Sequence, residues 1–179
     1  NSAKRFSPGY GDLKLEYQRE LLTEMWSNKP VIESYIPGST FKIVTTAMAL
    51  SEKVVTKNTH YDCNGYTTMA GHKIHCYTKT GHGELTMGEG LQQSCNVVFM
   101  DLGLKLGENA FRKYFGAFGY MEKTGIDLPG ESGSIFNMQS TIDLVIYAFG
   151  QNFNVTLIQQ ITAVASVAKW WEDLGIKPA

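Results

Sequence analysis

The 179-residue sequence has no long hydrophobic run and no surplus of charge of either sign. Sixteen lysines and arginines against seventeen aspartates and glutamates give a formal net charge of -1. No basic surface is therefore expected to hold nucleic acid or an anionic membrane. No apolar run reaches the roughly 18 residues that suggest a membrane-spanning helix, and the first ten residues lack the apolar segment of a signal peptide. The 43% of hydrophobic residues is typical of a globular domain.

Cysteine is scarce as well, and the count is odd. The three cysteines are Cys63, Cys76 and Cys95. A disulfide framework usually has an even number, often four or more. At most one bridge can form here, and binding of a metal ion is the other interpretation for a pair of cysteines near histidines.

Apolar residues recur at helical spacing along most of the chain, and we expect a single domain over residues 1–179. β-Branched runs are too few for a complete sheet, so the predicted fold is mostly α with a small β-hairpin. The hairpin is expected within residues 59–77, with Ala70-Gly71 as its turn. Thr86 and Glu89 form a capping box that starts a helix near Met87. The other helices are predicted at residues 13–26, 41–50, 97–106, 109–115 and 157–168.

A serine and a lysine lie three residues apart at the start of the apolar helix over residues 41–50. Ser39 follows the turn pair Pro37-Gly38, and Lys42 comes one helical turn later on the same face. Burial lowers the pKa of a lysine, so that it can accept the proton of a serine hydroxyl. A serine nucleophile with a lysine base is one interpretation. The other is that Ser39 only caps the helix, because Ser-x-x-Lys is common by chance.

Four segments, in the same order along the chain, resemble class B penicillin-binding proteins, the peptidoglycan transpeptidases. The resemblance covers residues 28–168 and implies the helical part of an α+β transpeptidase domain, of the type shared with serine β-lactamases. The matching segments are residues 35–43 around Ser39, the Ser-x-Asn motif Ser94-Cys95-Asn96, residues 125–131, and Phe149-Gly150-Gln151 followed by Val155-Thr156.

The resemblance implies a role for each matched residue. Ser39 would be the acylated nucleophile and Lys42 its general base. Ser94 would relay a proton to the leaving amine, and Asn96 would hold the substrate amide. The backbone N–H of Ser39 would supply half of the oxyanion hole. The implied reaction is acyl transfer from a D-alanyl-D-alanine stem peptide of peptidoglycan to an amino group on a neighbouring strand, with β-lactams acylating Ser39 as substrate mimics.

One motif of the family is out of place. Its Lys-Thr-Gly strand follows the last long helix, but nothing after Ala168 matches it, and Lys79-Thr80-Gly81 and Lys123-Thr124-Gly125 come too early. We therefore expect a partial transpeptidase domain with little or no activity alone. The resemblance also implies work at the extracytoplasmic face of the cell membrane, with other cell-wall synthesis proteins as partners. A serine β-lactamase, a β-lactam sensor and a non-catalytic zinc-binding module are the alternatives.

Potential metal ligands are concentrated in residues 62–82. Zinc prefers thiolate and imidazole ligands in a tetrahedron. With a two-residue turn, Cys76 faces Gly65 and residue 78 faces Cys63, so both thiols lie on one face of the hairpin. We predict a structural Zn²⁺ site in a hairpin insertion over residues 59–83. Its predicted ligands are Cys63, Cys76, His82 and Asp62, with His72 and His75 in reserve.

The cluster is similar in kind to the zinc sites that some clostridial class B penicillin-binding proteins carry near the active site. A Cys63–Cys76 disulfide and free thiols beside surface histidines are the alternatives. Cys95 is expected to be a buried packing residue whose side chain points away from Ser94 and Asn96. Four ligands would close the coordination sphere, so the metal would tie the hairpin to the helix that carries Ser94.

Overall fold

The computed structural model describes residues 9–69 and 71–173, with side chains as far as residue 169. Helices form most of this part of the chain and the strands are short, which confirms the predicted fold class. The helices are α1 (Leu15–Trp26), α2 (Lys29–Ile32), α3 (Lys42–Ser51), α4 (Met87–Gln92), α5 (Asn96–Ala117), α6 (Thr141–Ala148) and α7 (Leu157–Asp173), with 3-10 turns at Tyr10–Asp12 and Gly38–Phe41.

The strands form three separate antiparallel pairs. β1 (Ser34–Tyr35) pairs with β6 (Val155–Thr156), β2 (His60–Cys63) with β5 (Gly83–Thr86), and β3 (Tyr66–Met69) with β4 (His72–His75). In the described ranges, no helix has both the length and the apolar character needed to cross a membrane.

An aromatic cluster around Phe41 forms the centre of the helical part. The ring of Phe41 is fully buried and lies 4.8 Å from that of Phe153, 5.4 Å from that of Tyr120 and 6.0 Å from that of Phe115, between ring centroids. Such tilted and edge-on pairs add to the free energy gained by burying apolar surface. Because Phe41 is the last residue before α3, this cluster fixes the start of the helix that carries Lys42.

The helix boundaries follow local signals in the sequence. Thr86 caps α4 by accepting a hydrogen bond from the backbone of Glu89, whose carboxylate in turn accepts one from the backbone of Thr86. The two helices predicted at residues 97–106 and 109–115 are the two halves of α5, which is interrupted at Gly107 with a φ of 71°. Glycine tolerates this left-handed backbone, whereas residues with a Cβ seldom do.

The hairpin formed by β3 and β4 has the predicted register. Tyr66 pairs with His75 and Met69 with His72, while the backbone N–H of Cys76 donates to the carbonyl of Gly65 over 2.8 Å. Of the predicted turn pair, Ala70 lies outside the described residues.

The prediction that residue 78 faces Cys63 is wrong. Gly65, with a φ of 85°, ends the strand pairing, and Cys63 pairs with Gly83 of β5 instead. A side chain at Gly81 would collide with the carbonyl of Cys63, which accepts a hydrogen bond from the N–H of His82 over 2.9 Å. The chain therefore turns back tightly at this point and brings His82 beside Cys63.

Candidate functional site

Ser39 lies in the 3-10 turn directly before α3, with its side chain exposed. The turn is held from behind by Gly150, whose carbonyl accepts a hydrogen bond from the N–H of Gly38 over 2.8 Å. Gly150 has a φ of 87°, and any side chain there would collide with the carbonyl of Gly38. The segment from Phe149 to Gln151, one of the four segments that carry the resemblance, thus supports the loop of the predicted nucleophile.

A partly buried hydrogen-bond chain supports the same turn from the other side. The amide of Gln160, on α7, donates to the Thr40 hydroxyl over 3.2 Å, and that hydroxyl donates to the carbonyl of Pro37 over 2.7 Å. The phenol of Tyr120 donates to Gln160 over 2.7 Å. Sequence reasoning missed Gln160, because a polar residue inside a long apolar helix gives no sign of which loop it contacts.

The amine of Lys42 is buried at the centre of the site. The residue is 1% exposed, and its Nζ lies 2.6 Å from the carbonyl oxygen of Ser94, 2.9 Å from the Ser94 hydroxyl and 2.6 Å from Oδ1 of Asn96. The amine also lies 5.3 Å from the centre of the Phe99 ring. The structure therefore brings together three of the four predicted catalytic side chains, those of Lys42, Ser94 and Asn96.

Burial lowers the pKa of Lys42 from its ordinary 10.5 to about 8, although the nearby thiols of Cys76 and Cys95 act in the opposite direction. A lysine with this pKa has an accessible neutral form that can accept a proton. Within the described residues, no hydrogen bond joins Lys42 to Ser39, which lies one turn earlier. The amine faces the Ser-x-Asn motif instead, so the base role of Lys42 towards Ser39 stays a prediction.

The Ser-x-Asn motif forms the junction between α4 and α5. Ser94 has a φ of 52°, the left-handed conformation that residues with a Cβ seldom adopt. Two backbone hydrogen bonds hold this junction, from Ser94 N to Leu91 O over 3.0 Å and from Cys95 N to Gly90 O over 2.8 Å. We call residues 93–96 the Ser94 turn.

Next to the Ser94 turn, four potential metal ligands converge. The ligand atoms of Cys63, Cys76, His82 and Cys95 all lie within 4.8 Å of one another, and the three cysteines are buried free thiols. Three of these residues belong to the ligand set predicted from the sequence. The fourth member, Cys95, had been assigned to packing alone.

The structure places the other predicted ligands outside this cluster. Asp62 is exposed, and its carboxylate accepts a hydrogen bond from the Asn64 amide over 2.9 Å. Successive side chains of a strand point to opposite faces, so Asp62 in β2 faces away from Cys63. His72 and His75 are exposed on β4 and are not part of the cluster.

The four ligand atoms lie close enough together to share one metal ion. In a tetrahedral site with Zn–S bonds of about 2.3 Å, neighbouring sulfurs lie about 3.8 Å apart. Nδ1 of His82 lies 3.4 Å from Sγ of Cys63 and 3.7 Å from Sγ of Cys76. Three thiols with one imidazole are a common ligand set for structural zinc, so the residues present fit this metal.

The environment affects the thiols unequally. Burial raises the pKa of Cys95 to about 12. Burial acts in the same direction on Cys76, but hydrogen bonds from backbone N–H groups, among them those of Thr78, Asn96 and Val97, outweigh it and leave its pKa below the ordinary value. Of these two thiols, Cys76 therefore more readily becomes a thiolate, the form that binds metal.

Comparison with known proteins identifies the family of the chain. The sequence pattern of the penicillin-binding protein transpeptidase domain matches residues 8–170. The chain belongs to this family. Its likeness to Stage V sporulation protein D and to MrdA places it with the class B penicillin-binding proteins.

Three relatives illustrate the extent of the likeness. Stage V sporulation protein D of Bacillus subtilis (strain 168) is 40% identical over 161 residues, which are 82% of this chain and 25% of that protein. Peptidoglycan D,D-transpeptidase MrdA of Acinetobacter baumannii is 32% identical over 120 residues, 66% of this chain and 18% of that protein. The solved complex between penicillin-binding protein PBP2 and MreC from Helicobacter pylori has a chain with a TM-score of 0.72 and 26% identity, covering 83% of this chain and 31% of that chain.

The chain thus spans about a quarter or less of the length of these two curated relatives. In the resemblance, the Lys-Thr-Gly strand belongs after the last long helix. Of the two early copies of that tripeptide, Lys79-Thr80-Gly81 lies in the tight turn that leads to His82, where Gly81 packs against the backbone of Cys63.

Proposed function

We propose that this segment supplies the nucleophile half of a peptidoglycan D,D-transpeptidase site. Ser39 Oγ attacks the carbonyl carbon between the two D-alanines of a stem peptide, and the peptide C–N bond breaks. The hydroxyl proton passes to neutral Lys42 and, through Ser94, to the departing D-alanine amine. An amino group of a neighbouring strand then attacks the carbonyl carbon of the acyl-serine and forms a new C–N bond. The bond to Ser39 Oγ breaks, and a proton of the attacking amine returns to Oγ.

The observation that carries this proposal is the buried amine of Lys42, bonded to both Ser94 and Asn96. A lysine removed from water without a carboxylate partner is costly to maintain, and a shifted pKa in such a position is typical of catalytic sites. The hydrogen bond of 2.9 Å between Lys42 Nζ and the Ser94 hydroxyl also keeps these two groups within proton-transfer distance.

A fluorescent penicillin tests the nucleophile in the protein at its natural length. We expect one covalent label per chain on the peptide that contains Ser39, and none in Ser39→Ala. Ser166→Ala is the matched control, because Ser166 lies exposed on α7 and donates only to its own helix, to the carbonyl of Thr162. Equal labelling of Ser39→Ala and the wild type would refute the assignment, and rapid turnover of the label would favour a β-lactamase.

We also propose that Cys63, Cys76, His82 and Cys95 bind Zn²⁺, which would group the chain with the zinc-containing clostridial type. The support is the donor set and its spacing. The metal would supply no step of the reaction. With four protein ligands it would be structural, joining the hairpins to the Ser94 turn through Cys95.

Two substitutions distinguish this ligand set from the one predicted by sequence alone. We expect Cys95→Ser to lower the zinc content of the purified protein well below one per chain, because serine is a poor zinc ligand. Asp62→Asn should retain one zinc per chain, since the Asp62 carboxylate faces solvent. Loss of zinc in Asp62→Asn with retention in Cys95→Ser would reverse the assignment.

Substrate and location remain part of the proposal. Stem peptides and β-lactams are the expected ligands of Ser39, at the extracytoplasmic face of the cell membrane. Other cell-wall synthesis proteins are the expected partners, supported by the Helicobacter pylori PBP2, which was solved in complex with MreC.

A further inference from the structure

Tyr77 is an exposed aromatic residue whose hydroxyl is held at two points. Tyr77 comes two residues after the end of β4 and is 64% exposed. Its hydroxyl donates to the carbonyl oxygen of Gln93 over 2.9 Å, and Nε2 of His82 lies 3.2 Å away. The rings of Tyr77 and His82 meet edge to face with centroids 5.3 Å apart. Solvent exposure alone gives no reason for such a defined position.

The hydrogen-bond directions around Tyr77 follow from its chemistry. A phenol has one proton, and a carbonyl oxygen can only accept, so the proton of Tyr77 is committed to Gln93. Towards His82 the phenol oxygen can only accept, which requires a proton on Nε2. The hydroxyl of Thr78 lies 3.3 Å from the same nitrogen and can accept that proton as well. In the neutral imidazole, Nδ1 then keeps its lone pair, and it faces the thiols of Cys63 and Cys76. This is the tautomer that a ligand through Nδ1 requires.

The Ser94 turn is contacted from three sides. Lys42 binds the carbonyl and the hydroxyl of Ser94 on one side. The buried thiol of Cys95 joins the metal-binding cluster on the second. Tyr77 binds the carbonyl of Gln93 on the third, exposed side. Because the left-handed backbone of Ser94 costs free energy, external contacts of this kind are needed to keep it.

We propose that Tyr77 is a positioning residue. Its hydroxyl ties the imidazole of His82 to the Gln93 carbonyl and so holds Ser94 and Asn96 in the geometry that meets Lys42. The role rests on the proposed function, because it serves the acylation of Ser39. Tyr77 itself touches neither the reacting atoms nor the metal.

Tyr77→Phe removes only the hydroxyl, and the exposed ring stays. Tyr66→Phe is the matched control: Tyr66 is also exposed, packs on His75 through its ring, and its hydroxyl makes no hydrogen bond to another described residue. Both variants and the wild type are compared at natural length with excess ZnCl₂.

The first measurement is amide hydrogen exchange, which does not depend on activity. A neutral hydrogen bond of ordinary strength corresponds to about a fivefold change in a local opening equilibrium. We expect Tyr77→Phe to raise exchange of the Ser94 and Cys95 amides about fivefold, with α6 unchanged and Tyr66→Phe like the wild type. Unchanged exchange in the Ser94 turn of Tyr77→Phe would overturn the proposal.

The second measurement separates positioning from a loss of folded protein. We expect Tyr77→Phe to lower the rate constant of penicillin labelling about fivefold while the final labelled fraction stays at that of the wild type. A lower labelled fraction at an unchanged rate constant would contradict positioning. If the wild type takes no label at Ser39, the proposed function fails, whereas the exchange result still decides whether Tyr77 holds the turn.

Discussion

The two halves of the candidate site are held in place by different kinds of interaction. Lys42 begins α3 and Ser39 lies in the 3-10 turn before it, and Phe41 packs this turn into the aromatic cluster. The Ser94 turn, in contrast, borders strands β2 to β5, which expose most of their side chains. Apolar packing surrounds the first half, whereas hydrogen bonds and a cluster of three thiols and one imidazole surround the second.

The hairpin region beside the Ser-x-Asn motif has little hydrophobic core of its own. Isolated two-stranded hairpins are marginal in water, and the buried residues of this region are few. Cys63, Cys76 and Leu85 are its buried hydrophobic side chains in the described ranges. A metal ion that joins two of these residues to Cys95 would replace the missing hydrophobic core and extend its rigidity into the Ser94 turn.

The largest expected effect on stability comes from removing the central ring of the aromatic cluster. Phe41→Ala should lower the free energy of unfolding by about 3–5 kcal/mol, because a fully buried ring leaves a cavity. Leu104→Ala, at a half-exposed position on α5, should change it by about 0.5 kcal/mol or less. Urea unfolding measures both, and equal losses in the two variants would show that the cluster does not dominate the helical half.

Removing the metal should affect the two regions differently. With zinc at 100 times its dissociation constant, the bound metal contributes about 2.7 kcal/mol, or about a 100-fold shift of the opening equilibrium. A chelator should therefore raise amide exchange in residues 60–86 and in the Ser94 turn, while α3 stays protected. Equal increases in α3 would contradict the division into a packed half and a ligand-held half.

A smaller effect is expected from pH. Burial depresses the pKa of Lys42 to about 8 in the folded protein against an ordinary 10.5. Between these values the unfolded chain binds more protons than the folded one, so the free energy of unfolding should rise with pH. Below pH 8 both states are protonated and the full cost of the buried ammonium is present.

Urea unfolding at pH 7.5 and 10, in the wild type and in Lys42→Met, measures this effect, because the other titrating groups are common to both. We expect the wild type to gain stability relative to Lys42→Met as pH rises. An equal change in the free energy of unfolding with pH in the two proteins would mean that the Lys42 amine is not desolvated in solution.

Local patterns in the sequence predicted much of the fold. The residue pattern on either side of the Ala70-Gly71 turn was enough to predict the register of β3 and β4. The glycine at position 107 was enough to predict the break in α5. Helix α6 was missed, although Ser140 and Asp143 form a capping box at its start. This helix has only eight residues, which is too short for a helical period of apolar residues to stand out.

The cluster of Cys63, Cys76, His82 and Cys95 shows where local reasoning fails. Pairing across one hairpin cannot reveal that the chain bends at Gly65, because the choice between continuing and turning depends on the later approach of Gly81. Cys95 was assigned to packing because it stands between Ser94 and Asn96, with its side chain expected to point away from theirs. Its sulfur joins the other three only through the tertiary contact of the Ser94 turn with the hairpins.

The most direct test of the account measures zinc content and penicillin labelling on the same sample. One zinc per chain should accompany labelling at Ser39, and removing the zinc should slow labelling and raise amide exchange in the Ser94 turn, with both restored by added ZnCl₂. A zinc-free protein that is labelled at Ser39 at the same rate, with the same exchange in that turn, would contradict the claim that the cluster holds the Ser94 turn in place.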